Sequence, residues 1–218
     1  SIFNFIFDKN LLLIELKTGF DIFISKVCVT GYGTVNLLFL GGVVNKEIFA
    51  IYTIAEKVFN SLKMISSQFG NALIPYLANT SNDKVFNDKI SLVKITLINQ
   101  AFLFTSSLGL LIFGDYVVSW LSGAENGLQK ELVIIFALSL FLSIGPVFTA
   151  ILIGQGREYI VRQITIKVMV INLILLLPTV HFYGAKGLAI LVFINTLYQF
   201  FYRSKVNSHI LYTKDELI

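Results

Sequence analysis

The chain consists of long apolar stretches separated by short polar segments. Six runs contain no Asp, Glu, Lys or Arg: 27–45, 64–82, 95–114, 132–156, 168–185 and 187–202. A helix needs about 20 residues to cross the hydrocarbon core of a bilayer, and the alternating polarity of β-barrel strands is not visible. The pattern therefore predicts an all-α integral membrane protein with six transmembrane helices, at about 19–42, 47–77, 89–113, 131–153, 158–180 and 185–202.

The second predicted helix differs from the others because it carries charges within its length. When successive residues are placed at about 100° intervals, its polar positions fall on one side, and these include Glu56, Asn60, Lys63, Ser67 and Asn71. A charge at bilayer depth is costly unless it faces a bundle interior, a partner or a water-filled cavity. The stripe therefore predicts a helix with one side facing lipid and one side facing water or substrate.

Composition supports a membrane protein and excludes several other classes. Only 14% of the residues are charged and 56% are hydrophobic, whereas soluble domains have about 25% charged residues. The single cysteine, Cys28, excludes an internal disulfide and a cysteine-based metal site. There is no phosphate-binding glycine loop and no paired carboxylate or Ser–His arrangement, so we expect neither an enzyme nor a bound cofactor.

The basic residues follow a topological pattern, so the net charge of +4 does not indicate nucleic-acid binding. The loops and helix ends on the same side as the termini hold eleven of them, against three on the other side (Lys46, Lys130 and Lys186). This positive-inside bias predicts cytoplasmic termini. We expect an interfacial linker helix at 1–18, a six-helix lobe at 19–205 and a cytoplasmic tail at 206–218. The chain starts at Ser1 without a visible signal sequence, so we expect upstream sequence.

Three motifs, in this order and spacing, resemble a known family. They are Ala55-Glu56-Lys57 followed by the segment 68–76, the loop Gly154-Gln155-Gly156-Arg157, and the segments 172–175 and 183–189. Together they are similar to the C-terminal half of Wzx-type polysaccharide flippases, which belong to the MATE-like flippase superfamily. The resemblance covers about residues 16–203.

The resemblance implies a fold and a function. It implies that this chain forms one six-helix lobe of a twelve-helix transporter, with an N-terminal six-helix lobe as its partner. It also implies flipping of polyprenyl-pyrophosphate-linked oligosaccharide repeat units across the bacterial inner membrane by alternating access, for O-antigen or capsule synthesis. The implied partners are this lipid-linked oligosaccharide and membrane lipids.

The candidate substrate-binding residues lie on the first two predicted helices, which hold all three intramembrane lysines. Lysine offers a compact positive charge for pyrophosphate oxygens, while amide groups suit sugar hydroxyls. We therefore expect Lys26, Lys57 and Lys63 to attract the pyrophosphate and Asn36, Asn60 and Asn71 to meet sugars. The acidic residues Glu56 and Asp21 complete the predicted set.

Other interpretations remain open at this point. Glu56 could form a structural ion pair with Lys57, Lys63 or Lys26, and Lys26 could extend to the membrane surface. A cation-coupled multidrug antiporter is the main alternative function, but acidic residues would then be expected in its cavity. A membrane-embedded polymerase or glycosyltransferase of the same pathway would need a large extramembrane loop with Asp, Arg or His.

Overall fold

The described part of the chain is built from helices alone. The structure is a computed structural model that describes residues 9–79, 85–123, 127–143, 145–154 and 156–212. Its helices are α1 (Lys9–Val43), α2 (Lys46–Asn79), α3 (Val85–Ser122), α4 (Leu128–Phe141), α5 (Gly145–Gly154) and α6 (Glu158–Tyr212). The predicted all-α class is confirmed for these residues.

Four described stretches are long and apolar enough to cross a membrane. They are Leu16–Val43, Lys94–Ser122, Leu128–Gly154 and Glu158–Arg203. Helix α2 is absent from this set because its charged and amide side chains lower its hydropathy. The last stretch has 46 residues, about twice the length that one crossing requires. Six crossings therefore stay a prediction.

Helix α6 folds back on itself at Gly184. This residue has φ 55° and ψ −131°, a conformation that glycine adopts without steric cost. Beyond the bend, the α-carbon of Gly187 packs directly against the carbonyl oxygen of Thr179. The ammonium of Lys167 also lies 4.9 Å from the centre of the Tyr202 ring. The two arms, 158–183 and 185–212, therefore run antiparallel.

Two predicted helix ends differ from the structure. The fifth predicted helix was expected to end near Pro178, but α6 stays helical to Gly184, since proline is tolerated within membrane helices. The third was expected to end at Phe113, but α3 continues to Ser122. A β-carbon on Gly114 would lie 2.7 Å from Val133 Cγ1, so this glycine permits close packing of α3 on α4 instead of ending the helix.

The fourth predicted helix, at 131–153, contains Gly145-Pro146 and is interrupted just before this pair. It forms two helices, α4 and α5, with the break between Phe141 and Gly145. Proline lacks an amide hydrogen and cannot continue the backbone hydrogen-bond pattern of the preceding helix. A short turn joins α1 to α2, and Asn45 Oδ1 accepts a hydrogen bond of 2.9 Å from the Ile48 amide at the start of α2.

One end of the bundle, which we call the Gly184 end, holds the hydrophobic core. There Val44 Cγ1 lies 3.7 Å from the place that a β-carbon on Gly184 would take. Lys186 forms a 2.5 Å ion pair with Glu131 at the start of α4. The core joins α1, α2, α3, α4 and α6. It includes Leu40, Tyr52, Phe59, Leu110, Phe136, Val180 and Leu188.

Polar side chains also bridge the helices around α3. Ser66 on α2 donates a hydrogen bond of 2.8 Å to Asn99 Oδ1, and Ser107 donates one of 2.8 Å to the carbonyl of Ala137 on α4. The side-chain amide of Gln100 donates to the carbonyl of Phe141, at the C-terminus of α4. Each such bond stabilises a membrane bundle by about 0.6 kcal/mol on average, so they add to apolar packing without replacing it.

Candidate cation-lined cavity

A polar cavity of about 240 Å³ lies in the half of the bundle away from the Gly184 end. It is bounded by α1, α2, the break between α4 and α5, and both arms of α6. Its polar side chains are those of Tyr32, Lys63, Ser67, Asn71, Ser143, Thr149, Thr165, Thr196, Gln199 and Arg203. The volume is enough for several water molecules or one small polar group.

The charges around this cavity have one sign. Lys63 and Arg203 both line it, and none of its described lining residues is Asp or Glu. Like charges repel each other more strongly in a protein interior than in bulk water. An anion between the two cations would relieve that repulsion, and the surrounding hydroxyl and amide groups could donate further hydrogen bonds. The arrangement is therefore suited to an anionic, oxygen-rich group.

Two of the residues predicted from sequence lie in this cavity, namely Lys63 and Asn71. Lys63 is about 18 residues along α2 from the capping Asn45, which places it roughly 27 Å from the Gly184 end. Its ammonium lies 5.6 Å from the centre of the Phe59 ring one turn earlier. Their role in binding substrate stays a prediction, but the structure brings both side chains to one polar space.

Arg203 is the charged residue among the cavity residues that the sequence analysis did not predict. Arg203 is only 8% exposed, and its Nε has no hydrogen-bond partner in the described part of the chain. The guanidinium packs directly on the α-carbon of Gly145, in space that a β-carbon would fill. Because Arg203 lies at a polar helix end, the positive-inside pattern already accounted for it, and it was not considered as a binding residue. The helical spacing of Thr196, Gln199, Phe200 and Arg203 was the available signal.

Glycine lets α2 approach the break between α4 and α5 closely. A β-carbon on Gly70 would lie 2.7 Å from the carbonyl oxygen of Pro146 and 3.4 Å from the amide nitrogen of Val147. This contact brings Ser67 and Asn71 on α2 to the same cavity as Thr149 on α5. The first turn of α5 thus forms part of the cavity wall.

Asp21, another predicted residue, is engaged in an ion pair instead of lining the cavity. Its carboxylate accepts a hydrogen bond from the Arg162 guanidinium on the first arm of α6. The Asp21 side chain is 6% exposed and that of Arg162 33%. Ser25, one turn further along α1, donates a hydrogen bond of 2.8 Å to the backbone carbonyl of Asp21. The pair joins α1 to α6.

The remaining predicted residues lie outside the cavity lining. Lys26, Lys57 and Asn60 are exposed, and Glu56 is half-buried. Asn36 is buried, and its Oδ1 has no partner among the described residues. Within the same residues no ion pair joins Glu56 to Lys57, Lys63 or Lys26. The structure thus gathers only part of the predicted set at one place.

The exposed face of α2 is more polar than those of its neighbours. It includes Lys57, Asn60, Ser61, Gln68 and Asn71 beside Met64, Ile65 and Phe69. The exposed face of α3 between residues 97 and 113 is almost entirely apolar, with Leu97, Ile98, Leu108, Ile112 and Phe113 among its members. The polar face of α2 leads along the helix to the cavity at Asn71.

A comparison with known proteins bears on what this arrangement does. The chain is 28% identical over 185 residues to a Shigella dysenteriae protein named "Putative O-antigen transporter", and the match covers 84% of the chain. The resemblance to Wzx-type flippases is confirmed.

The comparison also sets the scale of the resemblance. The chain spans 46% of the length of that curated relative, or about half. No family model matches the chain, and no solved structure matches it. The four stretches that are long and apolar enough to cross a membrane indicate a multi-pass membrane protein, and the relative is named as an O-antigen transporter.

Proposed function

We propose that this chain forms one lobe of a transporter that flips polyprenyl-pyrophosphate-linked oligosaccharides across the bacterial inner membrane by alternating access. The cavity is the observation that carries the proposal. It holds two cations, no described carboxylate and a ring of hydroxyl and amide groups. The cations and polar groups of this site suit the chemistry of a head group that combines pyrophosphate with sugars, of which the cavity in this lobe would hold one small part. The O-antigen transporter that the chain resembles supports this substrate class.

The polar face of α2 would line the route of the head group. Lys57 and Asn60 lie on this exposed face, and Lys63 and Asn71 continue it into the cavity. The polyprenyl tail would stay in the bilayer, against apolar surfaces such as that of α3. Four other residues of the predicted set contribute to transport in this proposal but do not line the cavity. They are Lys26, Asn36, Glu56 and Asp21.

The proposal requires six crossings and a second lobe. Helices α1, α2 and α3, the pair α4–α5 and the two arms of α6 would each cross once, with both ends of the chain in the cytoplasm. The curated relative is about twice as long as the chain, which supports a second six-helix lobe opposite α2. Rocking of the two lobes would then expose the route to each side of the membrane in turn.

A cation-coupled multidrug antiporter fits the cavity less well. Its cationic substrates and coupling ions would need acidic partners, whereas the described lining residues contain only cations and neutral polar groups. Of the two carboxylates in the predicted site set, Asp21 is paired with Arg162. Glu56 lies outside the lining.

Complementation of a strain that lacks its own O-antigen transporter tests the proposal. The protein with Lys63→Ala or Lys57→Ala should restore much less surface polysaccharide than the wild type, because each change removes a positive charge from the route. Lys46→Ala, which removes an exposed lysine at the Gly184 end, is the matched control and should restore normal levels. Normal polysaccharide with Lys63→Ala and Lys57→Ala, at equal protein amounts in the membrane, would refute the proposed route.

A further inference from the structure

The break between α4 and α5 has the features of a binding site for one phosphate group. Helix α5 has 10 residues, and its first turn, with Gly145 and Pro146, faces the cavity. The first amide groups of a helix have no partner within the helix, and the helix dipole places partial positive charge there. In α5 the amide of Gly145 can donate at this end, whereas Pro146 has no amide hydrogen. A helix start of this kind binds anions readily when other donors converge on it.

Arg203 supplies an independent indication of a ligand at this place. The residue is more than nine-tenths buried, and its Nε donor has no hydrogen-bond partner among the described residues. A buried, unpaired polar group destabilises the fold, so such groups normally have a partner. Its guanidinium is planar and rigid, and it matches the oxygens of a phosphate in a bidentate manner.

Gly145 fixes where this guanidinium lies. The guanidinium occupies the space that a side chain at position 145 would need, so glycine is required for Arg203 to reach the start of α5. Lys63 approaches the same cavity from α2. Arginine, lysine and the helix start therefore converge from three different elements, with no described carboxylate among the lining residues to neutralise them.

We propose that Arg203, Lys63 and the start of α5 form a binding site for one phosphate of the lipid-linked substrate, with Gly145 as a positioning residue. The ligand assignment rests on the proposed function, whereas the existence of an anion site rests on the geometry alone. The amide and hydroxyl groups of Asn71, Thr149 and Gln199, which line the same cavity, would then contact the part of the head group next to that phosphate.

Calorimetric titration of the purified protein in detergent with farnesyl pyrophosphate tests the site. Arg203→Gln and Lys63→Gln should each weaken binding by about 10- to 100-fold, because a hydrogen bond to a charged group is lost. Arg203→Lys should weaken it less, since the charge remains while the bidentate geometry is lost. Lys205→Gln removes an exposed cation from the same helix arm and should leave the affinity unchanged.

Gly145→Ala separates position from charge. Both cations remain in this variant, but the new β-carbon displaces the guanidinium, so the affinity should fall as in Arg203→Gln. Gly109→Ala is the matched control, because a β-carbon there meets no atom within 4 Å. Each variant is compared with the wild type by its Tm, and Arg203→Lys and Gly145→Ala test the site even if Arg203→Gln does not fold.

The source of the phosphate is decided by competition. Short-chain phosphatidylglycerol should displace farnesyl pyrophosphate only weakly. Equal affinity for the two, with the same dependence on Arg203, would assign the site to membrane phospholipid and overturn the proposed ligand. Unchanged affinity in Arg203→Gln and Gly145→Ala would overturn the site itself. If these variants lose binding but still flip the substrate, the site is refuted and the proposed function is not. If the wild type binds farnesyl pyrophosphate but does not flip the substrate, the proposed function is refuted and the site is not.

Discussion

The ammonium of Lys167 lies 4.9 Å from the centre of the Tyr202 ring, although the two residues are far apart in sequence. They are at nearly equal distances on either side of Gly184, so the contact can form only if the chain reverses there. Such a cation–π contact also stabilises the pairing of the two arms, by about 0.5–2 kcal/mol depending on its desolvation. The longest helix of the chain is thus a hairpin whose two arms meet near the cavity.

The first prediction concerns this reversal. Gly184→Ala should destabilise the protein by about 1–3 kcal/mol, because the backbone at residue 184 has a conformation that a β-carbon strains. Thermal unfolding in detergent measures the effect. Gly109→Ala, in open space on α3, should leave the Tm within error of the wild type. An equal Tm for both variants would contradict the hairpin geometry at Gly184.

The second prediction concerns the pair between Asp21 and Arg162. Asp21→Asn should lower the free energy of unfolding by about 1–3 kcal/mol, since the Arg162 guanidinium loses its charged partner, while the 33% exposure of the Arg162 side chain limits the cost. Chemical denaturation in mixed micelles measures this change. The exchange Asp21→Arg with Arg162→Asp should recover part of the loss.

The pair between Lys186 and Glu131 is the matched comparison for that experiment. Its side chains are 43% and 52% exposed, and exposed pairs contribute about 0–1 kcal/mol. Glu131→Gln should therefore change stability much less than Asp21→Asn. If both substitutions lower the free energy of unfolding equally, this would contradict the expectation that burial makes the pair between α1 and α6 the more stabilising one.

The third prediction concerns the environment of the exposed face of α2. In a Cys28→Ala background, which removes the buried native thiol, cysteines at Asn60 and Gln68 should react with a membrane-impermeant maleimide in intact cells or inverted vesicles. Cysteines at Leu38 and Ile112 should resist it. These two positions are 72% and 70% exposed in the chain, but they would face acyl chains. Similar labelling of all four positions would contradict the assignment of the exposed face of α2 to a polar route and of the other two positions to the lipid face.

The hydrophobic pattern predicts the class and most of the helix positions because membrane helices must satisfy their backbone hydrogen bonds internally. The kink at Gly145-Pro146 is likewise predictable, since proline chemistry is local. The continuation of α3 past Gly114 is not, because it depends on how closely Val133 on another helix packs against that glycine. At Gly114, tertiary packing therefore overrides the local tendency of glycine to end a helix.

The cavity was predictable only in part, for a similar reason. The helical period of α2 places Lys63 and Asn71 on one side, and the structure brings them to the cavity. Arg203 is brought there by the fold of the α6 hairpin, which no periodicity within a single helix reveals. The partner of Asp21, Arg162, likewise comes from a distant helix.

The most direct test of the central claim is a flipping assay in liposomes that contain the purified transporter and a fluorescent polyprenyl-pyrophosphate-linked oligosaccharide. The measured quantity is the initial rate at which the head group becomes accessible on the opposite side. With Lys63→Gln the rate should fall at least about tenfold, which corresponds to a loss of about 1.4 kcal/mol, while Lys46→Gln should keep the wild-type rate. An unchanged rate with Lys63→Gln, at equal protein density, would contradict the account that an anionic head group passes this cavity.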